Sequence, residues 1–213
     1  MQIISVNVGL PQTVMYQGKE VSTGIFKAPV SEPTMVRRTN LNGDRQADLR
    51  VHGGTEKAVY AYPYQHYAGW KIDFPQFDYP LGVFGENLTI VGLDEREIHI
   101  GDHFRAGECE LQVTQPRMPC FKLGIRFGDP KMVKYFLERR QPGVYFSVAK
   151  EGLVKTGDEL TLLQESDSPL TVVDIVRLYA FDKTDQEGLT LAADDPYLPP
   201  SWQEYFAERL GKL

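Results

Sequence analysis

Cysteine is scarce in this chain: two residues among 213, alongside four histidines and two tryptophans. Two thiols fall short of the four thiolates that an iron–sulfur cluster usually takes. Long apolar runs are missing as well. None approaches the ~20 residues that cross a bilayer, so no membrane partner is expected. Cationic excess is also absent: a formal net charge of -6 argues against broad nucleic-acid binding, which needs a positive surface against phosphate. The chain has no GxxxxGK[ST] loop, no GxGxxG fingerprint and no Ser-His-Asp order with a nucleophile elbow. No secretory signal is evident at the Met1 end, and no internal repeat or low-complexity stretch occurs. The expected compartment is therefore the reducing cytoplasm. A Cys109–Cys120 disulfide is geometrically possible across a bend, but both thiols are expected to stay reduced.

What is present is ordinary globular stock, 42% hydrophobic and 24% charged, with Gly 19 and Pro 14 supplying many turns. Up to about Glu165 the pattern is one of short strands. Ile4, Val6 and Val8 alternate, and strand-like pieces recur at Gly24–Phe26, Thr34–Val36, Asn87–Val91, Glu97–Ile100, Leu111–Val113, Val144–Val148 and Glu159–Leu163. This spacing predicts a mainly β fold, a barrel or curled antiparallel sheet, interrupted by helices near Tyr64–Trp70 and Lys131–Arg140. After Pro169 the texture becomes helical. Thr171 and Asp174 form a cap, Val172, Ile175, Val176 and Tyr179 follow a helical stripe, a shorter helix lies around Leu189–Ala193, and Ser201-Trp202-Gln203-Glu204 reads as a capping box. Two domains are expected: a β domain at 1–168 and a small α-helical domain at 169–213.

Chemistry concentrates in one stretch. Cys120 ends Gln115-Pro116-Arg117-Met118-Pro119-Cys120, where two prolines stiffen the backbone and Arg117 and Lys122 supply positive charge. Nearby cations favour a thiolate, so Cys120 is the candidate nucleophile or metal ligand. Cys109 shares a strand face with Leu111 and Val113 and reads as core. A second stretch gathers Arg37, Arg38, Arg45, Arg50 and Lys57 with Gly43, Gly53 and Gly54. Read on its own, it is either a solvated charged loop or an anion cradle. His52, just before Gly53-Gly54, either donates to an anion or makes a structural hydrogen bond. Asn87 in Gly85-Glu86-Asn87 is a turn residue unless that turn meets the Cys120 loop. His99 and His103 are four apart, but in strand and turn surroundings that make a zinc pair weak, and His66 reads as a partly buried polar residue.

Three segments taken together are more specific than any one: Gly43-Asp44-Arg45-Gln46-Ala47-Asp48 with His52-Gly53-Gly54-Thr55-Glu56-Lys57-Ala58-Val59-Tyr60; Phe84-Gly85-Glu86-Asn87-Leu88-Thr89-Ile90-Val91-Gly92-Leu93; and Gln115-Pro116-Arg117-Met118-Pro119-Cys120-Phe121-Lys122-Leu123. In order and content they resemble the MOSC domain, named for the C-terminal part of molybdenum cofactor sulfurases. The helical tail resembles that of the bacterial branch tied to resistance to N-hydroxylated purines such as 6-hydroxylaminopurine. The resemblance implies a β-barrel, a molybdenum cofactor (Mo-molybdopterin) and Cys120 as the catalytic cysteine and molybdenum ligand. Arg45, Lys57 and Arg117, with His52 and the Gly53 and Gly54 amides, would hold the phosphorylated pterin, and Asn87 its rim. It further implies reduction of a small N-hydroxylated substrate with electrons from a separate flavin or iron–sulfur reductase. Two rival readings are a Cys120 persulfide carrier and a non-catalytic cofactor carrier. The pyridoxal phosphate domain of the sulfurases has no room in 213 residues.

Overall fold

The computed structural model describes residues 1–47 and 53–213. Its strands are β1 (Gln2–Val8), β2 (Gln12–Tyr16), β3 (Lys19–Thr23), β4 (Ala28–Val30), β5 (Thr34–Val36), β6 (Val59–Pro63), β7 (Leu88–Val91), β8 (His103–Ala106), β9 (Cys109–Pro116), β10 (Val144–Lys150), β11 (Gly152–Val154) and β12 (Leu160–Gln164). Helices α1 (Gln65–Asp73), α2 (Phe121–Phe127) and α3 (Met132–Arg139) interrupt them. Helices α4 (Val172–Val176), α5 (Gln186–Asp194) and α6 (Pro200–Leu210) follow, with a π-helical turn at Arg177–Phe181.

Eight strands form one sheet in the order β12-β8-β9-β10-β6-β7-β1-β4. Its pairs are antiparallel except β6 with β7, whose parallel register sets Ala61 against Leu88. A parallel pair requires a long crossover, and residues 64–87 with α1 provide it. The sheet curls without closing into a full barrel among the described residues. Its ends approach where Ile3 donates to the Asp158 carbonyl at 2.9 Å and Gly157 to the Ile3 carbonyl at 2.8 Å. The mainly β class read from the sequence is therefore correct, while the barrel is an incompletely closed one.

Local differences from the sequence pattern have physical causes. A bulge between Ile3 and Ser5 shifts the phase of β1, so Ile3 and Val6 are fully buried while Ile4 and Val8 are only half-buried. Gly24–Phe26 runs without ladder bonds, and Glu97–Ile100 is a turn with one bridge from His99 to Thr171. The α4 capping box forms as expected between Thr171 and Asp174. The Ser201 box does not, because Pro200 already occupies the first helical turn and Pro199 is the cap residue.

Two cores result. One fills the sheet interior and continues into the tail, joining Leu88, Leu111 and Phe146 to Ile175, Leu189 and Phe206. The other is aromatic and lies under the crossover, where Tyr62, Trp70, Phe84 and Phe136 pack and the Trp70 indole donates to the Tyr62 hydroxyl at 2.8 Å. Such ring pairs contribute roughly 0.5–1.5 kcal/mol beyond area burial. This second core holds α1, α2 and α3 on the sheet face beside Cys120. The hairpin β2–β3 stands apart, with Tyr16 resting on Phe121 at a 6.0 Å centroid distance.

Candidate functional site

β9 ends at Pro116, and α2 begins at Phe121 immediately after Cys120, which is the helix's cap residue in extended conformation. The segment between them is held as the prolines suggest, and it presents the half-buried Cys120 side chain at a cleft. That cleft holds about 640 Å³ of empty space, solvent at its mouth included. Cationic side chains surround it: Lys27, Arg45, Lys57, Arg117 and Lys122. Against the net charge of -6, this is a concentrated positive field.

Arg117 is only 7% exposed. Its guanidinium carbon lies 5.2 Å from the Tyr60 ring centroid and 5.1 Å from that of Phe136, a sandwich that fixes the plane of the fork. Its Nη1 is buried without a hydrogen-bond partner among the described residues. Lys57 is carried to the cleft by a 3₁₀ turn, Thr55–Lys57, whose leading Gly54 has φ +93, a backbone region that disfavours any side chain. Burial lowers the Lys57 pKa. Gly53 and Gly54 are not among the residues lining the cleft, and Gly54 is the cap residue of this turn. His52 lies outside the described residues.

The opposite wall is a buried polar lattice. Asn87 accepts from the Tyr60 amide at 3.1 Å and donates to Asp44 at 2.9 Å and to the Asn7 carbonyl at 3.3 Å. Its side-chain amide is thus committed to the protein, and Asn87 is a strut within the wall. Asp44 also accepts from the Gly9 amide at 2.9 Å and pairs with Lys27. Burial pulls the Lys27 pKa down, and Asp44 opposes it. Behind Asn87, Glu86 is fully buried and accepts from Tyr67, Thr89 and the Gly82 and Phe84 amides. Burial raises its pKa, and these hydrogen bonds oppose the rise. Close approach brings the walls together: a Cβ on Gly24 would meet the Arg45 carbonyl at 2.3 Å.

The structure thus gathers Cys120, Arg45, Lys57, Asn87 and Arg117 at one cleft. Tyr60, which ends the first motif segment, lines it as well, as do Lys27 and Tyr145, which no motif marked. Cys109, 1% exposed, donates to the Ala106 carbonyl at 3.1 Å, and burial pushes its thiol up to about 12. Neither cysteine is in a disulfide. His66 pairs with Glu95 at 2.9 Å and His103 with Glu110 at 3.7 Å. Among the described residues, no three metal-ligating carboxylate, thiol or imidazole groups come together, and no helix is long and apolar enough to cross a membrane.

A second cleft opens on the other side of the Cys120 segment. It is walled by Gln115, Pro116 and Pro119 on one side and by Tyr179, Trp202 and Tyr205 of the helical tail on the other. Cys120, Lys57, Met118 and Tyr145 border both clefts.

The MOSC domain family profile matches residues 48–161. Protein YflK of Bacillus subtilis (strain 168) is 39% identical over 99% of this chain and 95% of its own length. A protein named Reductase from Gibberella moniliformis (strain M3125 / FGSC 7600) is 32% identical over 85% of this chain, and the match spans 32% of that longer protein. The crystal structure of YiiM from Geobacillus stearothermophilus superposes with a TM-score of 0.83 at 32% identity, covering 98% of both chains. The profile match and the near-full-length likenesses to YflK and to the Geobacillus YiiM structure show that this chain belongs to the MOSC domain family and is of the YiiM type.

Proposed function

We propose that the chain binds the molybdenum cofactor in the cationic cleft, with the Cys120 thiolate as molybdenum ligand, and reduces N-hydroxylated bases to amines. The observation that carries this reading is the buried Arg117 fork beside Cys120, with Nη1 lacking a partner among the described residues. An unsatisfied buried donor costs roughly 1–3 kcal/mol, and an anionic phosphate or pterin oxygen would relieve that cost. The donor set fits an anionic sulfur-linked group: a thiol for a soft metal, and Arg45, Lys57, Lys27 and Lys122 for negative charge. Gly54 caps the turn that delivers Lys57, with Gly53 just before it, and His52 is assigned to the same anion.

When bound, the cofactor supplies two-electron chemistry at an accessible metal. In the overall reaction an N–O bond breaks, two electrons and two protons enter, and an amine and water leave. The chain's own residues hold the cofactor, orient it through the fixed plane of Arg117 and keep bulk water from the Tyr60 and Tyr145 side of the cleft. Electrons come from a separate flavin or iron–sulfur reductase, and this chain's likeness to part of the longer Gibberella protein named Reductase supports that pairing. A reduced Cys120 suits the cytoplasm.

The test is turnover of 6-hydroxylaminopurine by protein from a molybdopterin-competent host with a reductase supplied, together with molybdenum content. Full activity and full molybdenum content after Cys120→Ala would reject the ligand assignment. Metal without turnover would favour a cofactor carrier, and a Cys120 persulfide seen by mass spectrometry would favour sulfur transfer.

A further inference from the structure

The two clefts meeting at Cys120 differ in chemistry. The first is ringed by cations. The second holds about 890 Å³ of empty space, solvent at its mouth included, and is walled on the tail side by aromatic faces, with Lys57 its one cation among the described lining residues. An anion belongs in the first, and a neutral planar ring in the second. We infer that the second cleft is the substrate site, taking a planar aromatic base that stacks on Tyr179, Trp202 and Tyr205 with its reacting substituent directed toward Cys120. This rests on the reductase reading and adds to it the place and the residues of substrate recognition.

The geometry supports a built site rather than simple packing. Trp202 is held by its indole N–H, which donates to Gln115 at 2.8 Å, and Gln115 in turn donates to the Glu56 carbonyl at 3.2 Å. One ring face is thereby fixed relative to the Cys120 segment and to the turn bearing Lys57. Tyr179 and Tyr205 lie at a 5.0 Å centroid distance, and both are only half-buried. Neither hydroxyl makes a hydrogen bond among the described residues, which leaves both available to ring nitrogens at the edge of a stacked base. Base–aromatic stacking is sequence-tolerant and strong enough that removing one ring is expected to weaken binding about tenfold.

The experiment is a fluorescence titration of the full chain, with and without cofactor, by 6-hydroxylaminopurine and by adenine, excited at the indole edge. The two tryptophans differ in environment: Trp70 is fully buried in the aromatic core, so quenching by the base reports Trp202. Saturable quenching is expected in the wild type, lost in Trp202→Phe and shifted about tenfold to weaker binding in Tyr205→Leu and in Tyr179→Leu. Thermal melts accompany each variant. If a leucine variant fails to fold, Tyr205→Phe, which keeps the ring and removes the hydroxyl, is expected to weaken binding of the base while its melting temperature is unchanged. No quenching in either form of the wild type, or wild-type affinity in both folded tyrosine variants, overturns the inference. The two readings fail separately: quenching without turnover removes the reductase and keeps the base site, whereas turnover with an unaltered KM in Tyr205→Leu and Tyr179→Leu keeps the reductase and removes this site.

Discussion

The Trp202 indole and the Gln115 side chain, 87 positions apart in sequence, share a buried hydrogen bond of 2.8 Å. It joins the last helix to the strand end that leads into Cys120, so the tail and the cysteine segment are one mechanical unit.

Breaking that bond from one side should cost more than its net worth, because the remaining group stays buried and unpaired. Gln115→Leu is expected to lower stability by about 1–3 kcal/mol, read from denaturant midpoints. Melting at the wild-type temperature would show that the tail docks through apolar contact alone.

The thiols should differ in kind. Only a thiolate is alkylated, and burial that pushes Cys109 up to about 12 leaves it protonated at pH 8 and shut away from reagent. Iodoacetamide is expected to modify Cys120 in the native protein and Cys109 only after denaturation, as peptide mass mapping would show. Equal labelling of both would contradict the strand-core placement of Cys109.

Arg117 separates holding a ligand from holding the fold. A buried charge with an unpartnered donor is a poor contributor to stability, and a well-packed apolar replacement is often neutral or better. Arg117→Met is therefore expected to melt no lower than the wild type while its retained molybdenum falls at least about tenfold, the loss of one charge-assisted contact (~1.5–3 kcal/mol). Undiminished metal content in a folded Arg117→Met protein would remove Arg117 from the cofactor site.

Glu86 should leave a mark on the pH dependence of stability. Burial raises its pKa in the fold above the ordinary 4.5. Above pH 4.5 the unfolded chain gives up this proton while the folded chain keeps it, so stability falls as pH rises until the folded group ionises too. Glu86→Gln is expected to be less stable overall, through a weakened acceptor lattice, yet to show a flatter pH profile above 4.5. Parallel profiles for the two proteins would mean Glu86 is already ionised in the fold.

The site was legible where chemistry is local and obscure where it is assembled. Cys120, Arg117 and Lys57 declared themselves by residue type and neighbours, and the Thr171 cap by its spacing. Lys27 had no such signal: its role comes from pairing with Asp44 across the cleft wall, a contact made by the fold and invisible in a linear pattern. Asn87 was visible as a motif residue, but its hydrogen bonds to Tyr60, Asp44 and Asn7 make it a strut, which only long-range geometry reveals. The β1 phase was misjudged for a related reason, because a bulge is set by partner strands rather than by the alternation of one strand. The tail aromatics, which carry no motif, also wall a cleft that meets Cys120, a meeting made only by the fold.

The parallel pairing of β6 with β7, the one such pair among the described residues, bears on how the protein folds. Its two strands are separated by the crossover at residues 64–87, so Leu88 meets Ala61 only once that loop has closed. Asn87 is hydrogen-bonded to Tyr60 through both backbone and side chain, so it reaches position only when that crossover has docked. A nascent chain would then pass through a stage with its antiparallel hairpins made and one wall of its cationic cleft still missing. Only the folded chain would then present the whole cationic cleft to an anion.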